Sequence, residues 1–319
     1  MTLKHKGILR IGYVRIGLPD SRLEQSAAFY TGTLGMLAGR VQPDRIYLRC
    51  WHESHEFSLV IDETQAPGLI EVGFQVRDAE DLYDIARRVE ASGIGVTREG
   101  AGEPLAGLGE SIHFEVPQGP RLRLFAHMAQ AGYVTGFDSP DWVPPRELRG
   151  TPAPLFLNHV GFTSADPAAA VDFLTGTLGF TVSEKIVSDS GTQLLSALLF
   201  RMSKDVGGQE LAIFPGSATR LHHIAFSKED STDILIDGQY LRQERVQIER
   251  YGPTRQSYGK TFSLHFRDPH QVRLELCSGG RVTEAHPEFE PVVWREADLG
   301  KALSYYDRDL DESFLDPCL

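Results

Sequence analysis

The stretch Ile8-Leu-Arg-Ile-Gly-Tyr-Val-Arg-Ile-Gly17 is predominantly apolar and rich in β-branched residues, and it reads as a strand. Leu18-Pro-Asp20 reads as a turn, with Asp20 or Ser21 capping a helix. Residues 23–34 carry apolar positions at helical spacing, and Gly35 is placed to stop that helix. Strand patterns follow at residues 45–51, 56–61 and 68–76, then an amphipathic helix over 78–93, then strands at 111–116 and 121–125. A strand, a helix and further strands thus occur twice within the first 130 or so residues.

The second half repeats the order. Leu157-Asn-His-Val-Gly-Phe162 is followed by Asp166 and Pro167, by a helix containing Val171-Asp-Phe-Leu174, and by Leu178-Gly-Phe180, which echoes Leu34-Gly-Met36. Leu69-Ile-Glu-Val-Gly-Phe74 corresponds to Leu221-His-His-Ile-Ala-Phe226, and Arg121-Leu-Arg-Leu124 to Arg273-Leu-Glu-Leu276. The expected division is a domain over 1–132, a linker over 133–154 rich in proline, tryptophan and charge, a second domain over 155–288, and a tail over 289–319. In the tail, residues 297–307 read as a helix with Leu299, Ala302, Leu303 and Tyr306 on one face.

The repeat isolates candidate chemistry. His223 alternates with Ala225 on one strand and so points to the same side; His159 and Glu275 stand at matching places on two other strands. Two histidines and one carboxylate from separate strands form the set that leaves one face of an octahedral Fe(II) open. The first half has Tyr13, Glu71 and Arg123 at the three equivalent positions, which cannot form that set. A ligand set in one half only is the signature of a site grafted onto a duplicated scaffold. His222, adjacent to His223, is expected on the opposite side of the strand in a structural role. His270 is expected to be solvated in a turn, His52 and His55 to lie on the surface of a hairpin, and His113 and His127 to lack partners at ligand spacing.

Composition narrows the classes. With 41% hydrophobic residues in 319, apolar material for packed cores is ample, and the net charge of −12 without a basic tract argues against nucleic acid as a partner. Cys50, Cys277 and Cys318 have no paired spacing, which reads as reduced thiols in a cytoplasmic protein. No apolar run approaches a membrane span, and neither an export signal nor a membrane association is expected. Gly100, Gly102, Gly107 and Gly109 do not fit a phosphate-binding pattern.

A specific resemblance rests on Gly12-Tyr-Val-Arg-Ile16, Tyr47-Leu-Arg-Cys-Trp51 with Phe57-Ser-Leu-Val60, Leu221-His-His-Ile-Ala-Phe226, Tyr251-Gly-Pro-Thr-Arg255, Gly259-Lys-Thr-Phe262, Phe266-Arg-Asp-Pro269 and Asp298-Leu-Gly-Lys-Ala302. The chain resembles the vicinal oxygen chelate superfamily and, within it, the type I extradiol dioxygenases of the catechol 2,3-dioxygenase (metapyrocatechase) kind, over nearly its whole length. The resemblance implies an α+β fold of two domains, each a pair of βαβββ modules curled into an open, barrel-like sheet. It implies Fe(II), or Mn(II), held by His159, His223 and Glu275 in the second domain only. It also implies an aromatic or heteroaromatic substrate with adjacent oxygens, O2 as co-substrate, a homo-oligomer, and a C-terminal segment that closes over the site.

The sequence departs from that family at three pocket positions. Gln209 and Gln256 stand where similar enzymes usually carry histidines, and His265, ten residues before Glu275, stands for a tyrosine. Glutamine hydrogen-bonds but cannot shuttle a proton, whereas imidazole can. His265 is therefore expected to orient or deprotonate substrate, Gln209 and Gln256 to polarise oxygen or position substrate, and Tyr258 to project into the pocket as a donor or to lie in a surface loop. Arg255 is expected to be structural. A moved proton path, a non-standard substrate and weak activity all fit these changes; an isomerase or lyase and a ligand-sequestering protein are the rival functions on the same scaffold.

Overall fold

The computed structural model describes residues 7–19, 22–132, 150–202, 208–286 and 288–319. Two sheets organise them, and each is built from two units of the βαβββ order. In the first half, β1 (Ile8–Leu18), α1 (Leu23–Ala28), β2 (Leu37–Gln42), β3 (Arg45–Arg49) and β4 (Leu59–Glu63) form one unit. The next comprises β5 (Gly68–Val76), α2 (Ala79–Ala91), β6 (Thr97–Glu99), β7 (Ser111–Glu115) and β8 (Arg121–Phe125). In the second half, β9 (Leu157–Ser164), α3 (Pro167–Gly176), β10 (Thr181–Val187), β11 (Leu194–Phe200) and β12 (Leu211–Pro215) repeat the order. The fourth unit, β13 (Arg220–Ser227), α4 (Ser231–Gln243), β14 (Gln247–Ile248), β15 (Thr254–Arg255), β16 (Thr261–Arg267) and β17 (Arg273–Gly279), keeps that order with one extra two-residue strand, β15, which pairs β16 off the main path.

Within each sheet the first strands of the two units lie side by side and antiparallel, β1 with β5 and β9 with β13. Each also pairs in parallel with the last strand of its own unit, as β13 does with β17. The strand orders are β2-β3-β4-β1-β5-β8-β7-β6 and β14-β16-β17-β13-β9-β12-β11-β10-β18, where β18 is Val292–Arg295. Both orders run from one edge to another, giving the open α+β sheets that the repeat implies.

Local chemistry explains the helices. Asp78, Asp166 and Asp230 cap α2, α3 and α4 by accepting backbone N–H bonds, and Pro167 sits at the first turn of α3, where no N–H is needed. The first helix is shorter than its pattern suggests: α1 ends at Ala28 and continues as a π-helical stretch, Phe29–Thr33, before Gly35 turns the chain at φ +80°. Its N-cap is Arg22, without a side-chain cap, and the expected caps Asp20 and Ser21 fall outside the described residues. Residues 133–149 of the expected linker also fall outside them.

The tail differs from its helical pattern. Glu296–Asp298 is a 3-10 turn and α5 (Leu299–Leu303) stops after five residues, so Ala302 and Leu303 are buried while Tyr306 is exposed rather than on the packed face. A last 3-10 turn, Glu312–Leu315, buries Phe314, and the chain then pairs with β13 through Cys318 N–H to the Leu221 carbonyl at 2.8 Å.

The apolar core is continuous across both halves. Phe74 meets Phe180 and Phe114 meets Phe173 edge-on, and the buried Glu210 carboxylate accepts the N–H of Ile11 at 2.9 Å. No described helix is long and apolar enough to cross a membrane.

Candidate metal centre and active site

Register brings the ligand candidates together. On the inner face of the second sheet, Ala225 of β13 lies opposite His159 of β9 on one side and Glu275 of β17 on the other, and Glu275 faces His265 of β16. His223, two residues before Ala225, shares its face. The four side chains therefore converge from four neighbouring strands, all essentially buried.

His159 Nε2 and His223 Nε2 are 2.8 Å apart, and Glu275 Oε2 lies 3.3 Å from each. Donors bound at about 2.1 Å to neighbouring positions of an octahedron sit roughly 3 Å apart, so this triangle fits one metal ion without rearrangement. Among the described residues, His159, His223 and Glu275 form the cluster able to hold a metal. The remaining polar atoms are satisfied: His159 Nδ1 meets Asn158 Oδ1 at 2.8 Å, His223 Nδ1 meets His222 Nδ1 at 2.7 Å, and Ser263 donates to Glu275 Oε1 at 2.5 Å.

Electrostatics favour the ligating forms. Burial pushes the His223 imidazole down to about 3, so it stays neutral with a lone pair available. Burial alone would raise the Glu275 carboxyl, but the imidazoles gathered around it, His265 first and then His159 and His223, outweigh it and hold the group well below its usual range. The carboxylate is thus the anionic member of the set.

Gly161, opposite His223, makes room for that ring: a Cβ there would lie 2.4 Å from His223 Cε1 and Nδ1. Gly161→Ala is expected to rotate the imidazole and weaken metal uptake while leaving the sheet intact, as read by metal titration beside circular dichroism. A variant that takes up metal as tightly as the parent would contradict this packing role.

The first half shows what stands at the positions equivalent to the donor triangle. Tyr13 donates to Glu71 at 2.7 Å and Arg123 Nε bonds both Glu71 oxygens at 3.0 Å, all three buried. A guanidinium neutralises the carboxylate there, and the structure forms an ion pair where the second half forms a donor triangle.

The other expected pocket residues are also present. Gln209, Gln256, Tyr258 and His265 line the cavity over the triad, together with Leu303 and Phe314 of the tail. His265 Nε2 is 3.4 Å from Glu275 Oε2, while its buried Nδ1 has no hydrogen-bond partner among the described residues. Burial pushes the Tyr258 hydroxyl far above its usual range; it stays protonated and shares a 3.0 Å hydrogen bond with Ser196. Tyr258 is therefore a pocket residue, not a surface tyrosine. Gln256 Oε1 accepts from Thr261 Oγ1 at 3.4 Å, whereas Arg255 is exposed.

The cavity measures about 20 Å³, room for little more than one water molecule. An aromatic ring enters only if lining side chains shift, among them Leu303 and Phe314 of the tail. Phe314→Ala is expected to widen the cavity, raise relative kcat/KM for bulkier ring substituents and lower Tm. An unchanged substituent profile would show that Phe314 does not bound the substrate space.

Several expectations are corrected. His222 does not face away: a β-bulge places its ring beside His223, stacked on Phe214 at 4.1 Å, and its Nε2 meets the Phe314 carbonyl at 2.6 Å. His270 is buried rather than solvated, its Nδ1 3.2 Å from Arg22, because the turn carrying it packs under the first half, where Tyr30 also donates to Asp268. His55 is half-buried against Arg10, and His52 is half-buried with its backbone N–H on the Leu155 carbonyl, so neither is a plain surface residue. Asn158, Ser263 and Phe314 were not foreseen; Ser263 is legible as the residue two before His265 on the same strand face.

Comparison with known proteins gives this geometry a lineage. Residues 156–276 match the Glyoxalase/Bleomycin resistance protein/Dioxygenase superfamily, and residues 71–129 match the Catechol 2,3-dioxygenase-like N-terminal domain. The metapyrocatechase of Pseudomonas sp. (strain CF600) is 31% identical over 97% of this chain and 98% of its own length. The chain belongs to the type I extradiol dioxygenases. A manganese-dependent 2,3-dihydroxybiphenyl 1,2-dioxygenase of Geobacillus genomosp. 3 is 26% identical over 95% of both proteins. Among solved structures, the 2,3-dioxygenase LapB from Pseudomonas sp. KL28 superposes with a TM-score of 0.83 at 27% identity, covering 92% of this chain and 99% of that one. As an extradiol dioxygenase, the protein is a ring-cleavage oxidoreductase with a metal cofactor, an aromatic substrate and O2. The isomerase, lyase and ligand-sequestering alternatives give way to that reading.

Proposed function

We propose that the protein binds Fe(II), with Mn(II) as the alternative, through His159, His223 and Glu275, and cleaves an aromatic or heteroaromatic ring beside a pair of adjacent oxygen substituents. The observation that carries the proposal is the buried triangle of two imidazole nitrogens and one carboxylate oxygen next to the unpartnered His265 Nδ1. When bound by His159, His223 and Glu275, the metal would supply Lewis acidity toward the substrate oxygens and redox chemistry toward O2.

The chain's own residues do the rest. His265, which lines the cavity and has one ring nitrogen without a hydrogen-bond partner among the described residues, accepts a proton from the substrate hydroxyl and holds it during turnover. Tyr258 donates as a neutral phenol, and the Gln209 and Gln256 amides bond substrate or oxygen without exchanging protons. Leu303 and Phe314 exclude water once the ring is seated. The overall change inserts both atoms of O2 and breaks one ring C–C bond beside the diol, so no external reductant is consumed. The proposal includes domains at 1–132 and 155–288, with linker 133–154 and tail 289–319 between and after them, a cytoplasmic homo-oligomer, and a metal site in the second domain alone.

The deciding experiment reconstitutes the full chain anaerobically with Fe(II) or Mn(II) and follows O2 uptake with catechols, hydroxylated pyridines and hydroquinones. Uptake stoichiometric with ring-opened product, restored by one of the two metals, is expected. Turnover without O2, or failure of the protein to retain either ion, would overturn the proposal.

A further inference from the structure

Two β-bulges flank the metal ligands. Along the β9–β13 ladder Ala225 pairs with His159 and Phe226 with Leu157, which leaves Asn158 as an extra residue. At the other end Leu221 pairs with Phe162 and His223 with Gly161, which leaves His222 as an extra residue. An inserted residue breaks the two-residue alternation, so its side chain can share the side occupied by the residue after it. That following residue is a proposed metal ligand in both cases.

We infer that Asn158 and His222 are positioning residues whose bulged backbone lets each hold the Nδ1 of the histidine that follows, fixing the tautomer and aim of both nitrogen ligands. The inference rests on the metal-binding reading of His159, His223 and Glu275. It also follows from donor and acceptor bookkeeping. A histidine that ligates through Nε2 carries its hydrogen on Nδ1 and needs an acceptor there. Asn158 Oδ1, at 2.8 Å from His159, accepts; its Nδ2 donates to Ser227 Oγ at 2.7 Å, which sets the amide's orientation. His222 Nδ1, at 2.7 Å from His223 Nδ1, must then accept, which puts the His222 hydrogen on Nε2. That nitrogen faces the Phe314 carbonyl at 2.6 Å, which can only accept. Every hydrogen in the two chains has one consistent place, and one chain ends on the tail segment that covers the cavity.

The first half serves as an internal control. The β1–β5 ladder carries the same two bulges, with Gly12 between the pairs Ile11–Phe74 and Tyr13–Gly73, and Ile70 between Arg15–Glu71 and Ile16–Leu69. The bulges are therefore part of the duplicated scaffold. Neither Gly12 nor Ile70 offers a polar side chain, and at Gly12 a Cβ would lie 2.5 Å from the Phe125 ring. Polar side chains occupy both bulges in the half that carries the donor triangle.

The test measures metal affinity rather than turnover, on the full-length metal-free chain, by Mn(II) titration with EPR of free ion and by Fe(II) competition against a chelator. Asn158→Leu removes the acceptor and Asn158→Asp keeps it; His222→Phe keeps the stack on Phe214 and removes both nitrogens. Asn158→Leu and His222→Phe are expected to weaken binding by roughly 10- to 100-fold, the usual loss for a partner that orients a metal-bound histidine. Asn158→Asp is expected to restore it, a rescue that mere packing would not give. The inference is overturned if Asn158→Leu binds as tightly as the parent, or if Asn158→Asp is as weak as Asn158→Leu. The Asn158 pair decides even if His222→Phe fails to fold. A parent protein that takes up neither ion overturns the metal reading, and this inference with it; a parent that binds while the variants bind equally well overturns this inference alone.

Discussion

Glu275→Gln is expected to give a folded protein that retains neither Fe(II) nor Mn(II) and consumes no O2 with any diol. Glu275 Oε2 is the atom 3.3 Å from both His159 Nε2 and His223 Nε2, and it supplies the only negative charge in the triangle. An amide in its place keeps the volume and can still accept from Ser263, so the local packing survives. It loses the charge that makes binding a dication favourable at a buried site. The loss should exceed the roughly 10- to 100-fold expected for outer partners of the ligands. Metal content after gel filtration and an O2 electrode read the outcome. A variant that keeps stoichiometric metal and full turnover would sink the ligand assignment.

His265→Phe is expected to separate metal binding from chemistry. The replacement preserves ring volume against Phe314, whose ring meets His265 at 4.9 Å nearly at right angles, and leaves the three ligand atoms untouched. Metal content should therefore stay at the parent level. Turnover should fall by about a hundredfold to ten-thousandfold, the usual contribution of a positioned general acid or base, and the limb of the pH–rate profile due to the lost base should flatten. Neither Gln209 nor Gln256 can take over, because an amide does not exchange protons near neutral pH. Unchanged kcat together with an unchanged pH profile would show that His265 is no more than a filler beside Glu275.

The candidate site was legible in the sequence to the extent that it followed alternation and repetition. His159, His223 and Glu275 fall on strands with a period of two, and the first-half counterparts Tyr13, Glu71 and Arg123 mark the positions as interchangeable parts of one scaffold. The same rule misplaced His222, because alternation assumes an unbroken ladder and the bulge between Leu221 and His223 breaks it. His270 was misread for a related reason: its turn is local, but the first half that buries it lies more than two hundred residues away in sequence. The tail helix was overestimated because Tyr306 continues the apolar spacing after the backbone has already left helical geometry at Ser304.

The sequence alone determined the βαβββ order, its fourfold use, and the residence of one donor set in one half, because periodicity and internal repetition are properties of the linear chain. Only the tertiary structure decided which polar neighbours meet the histidines of the donor triangle, that Tyr258 turns inward, and that Phe314 lines the cavity while its carbonyl meets His222. Those facts depend on register shifts and on contacts between segments far apart in the chain, and a single residue of slippage in a ladder reverses the side that every later residue faces.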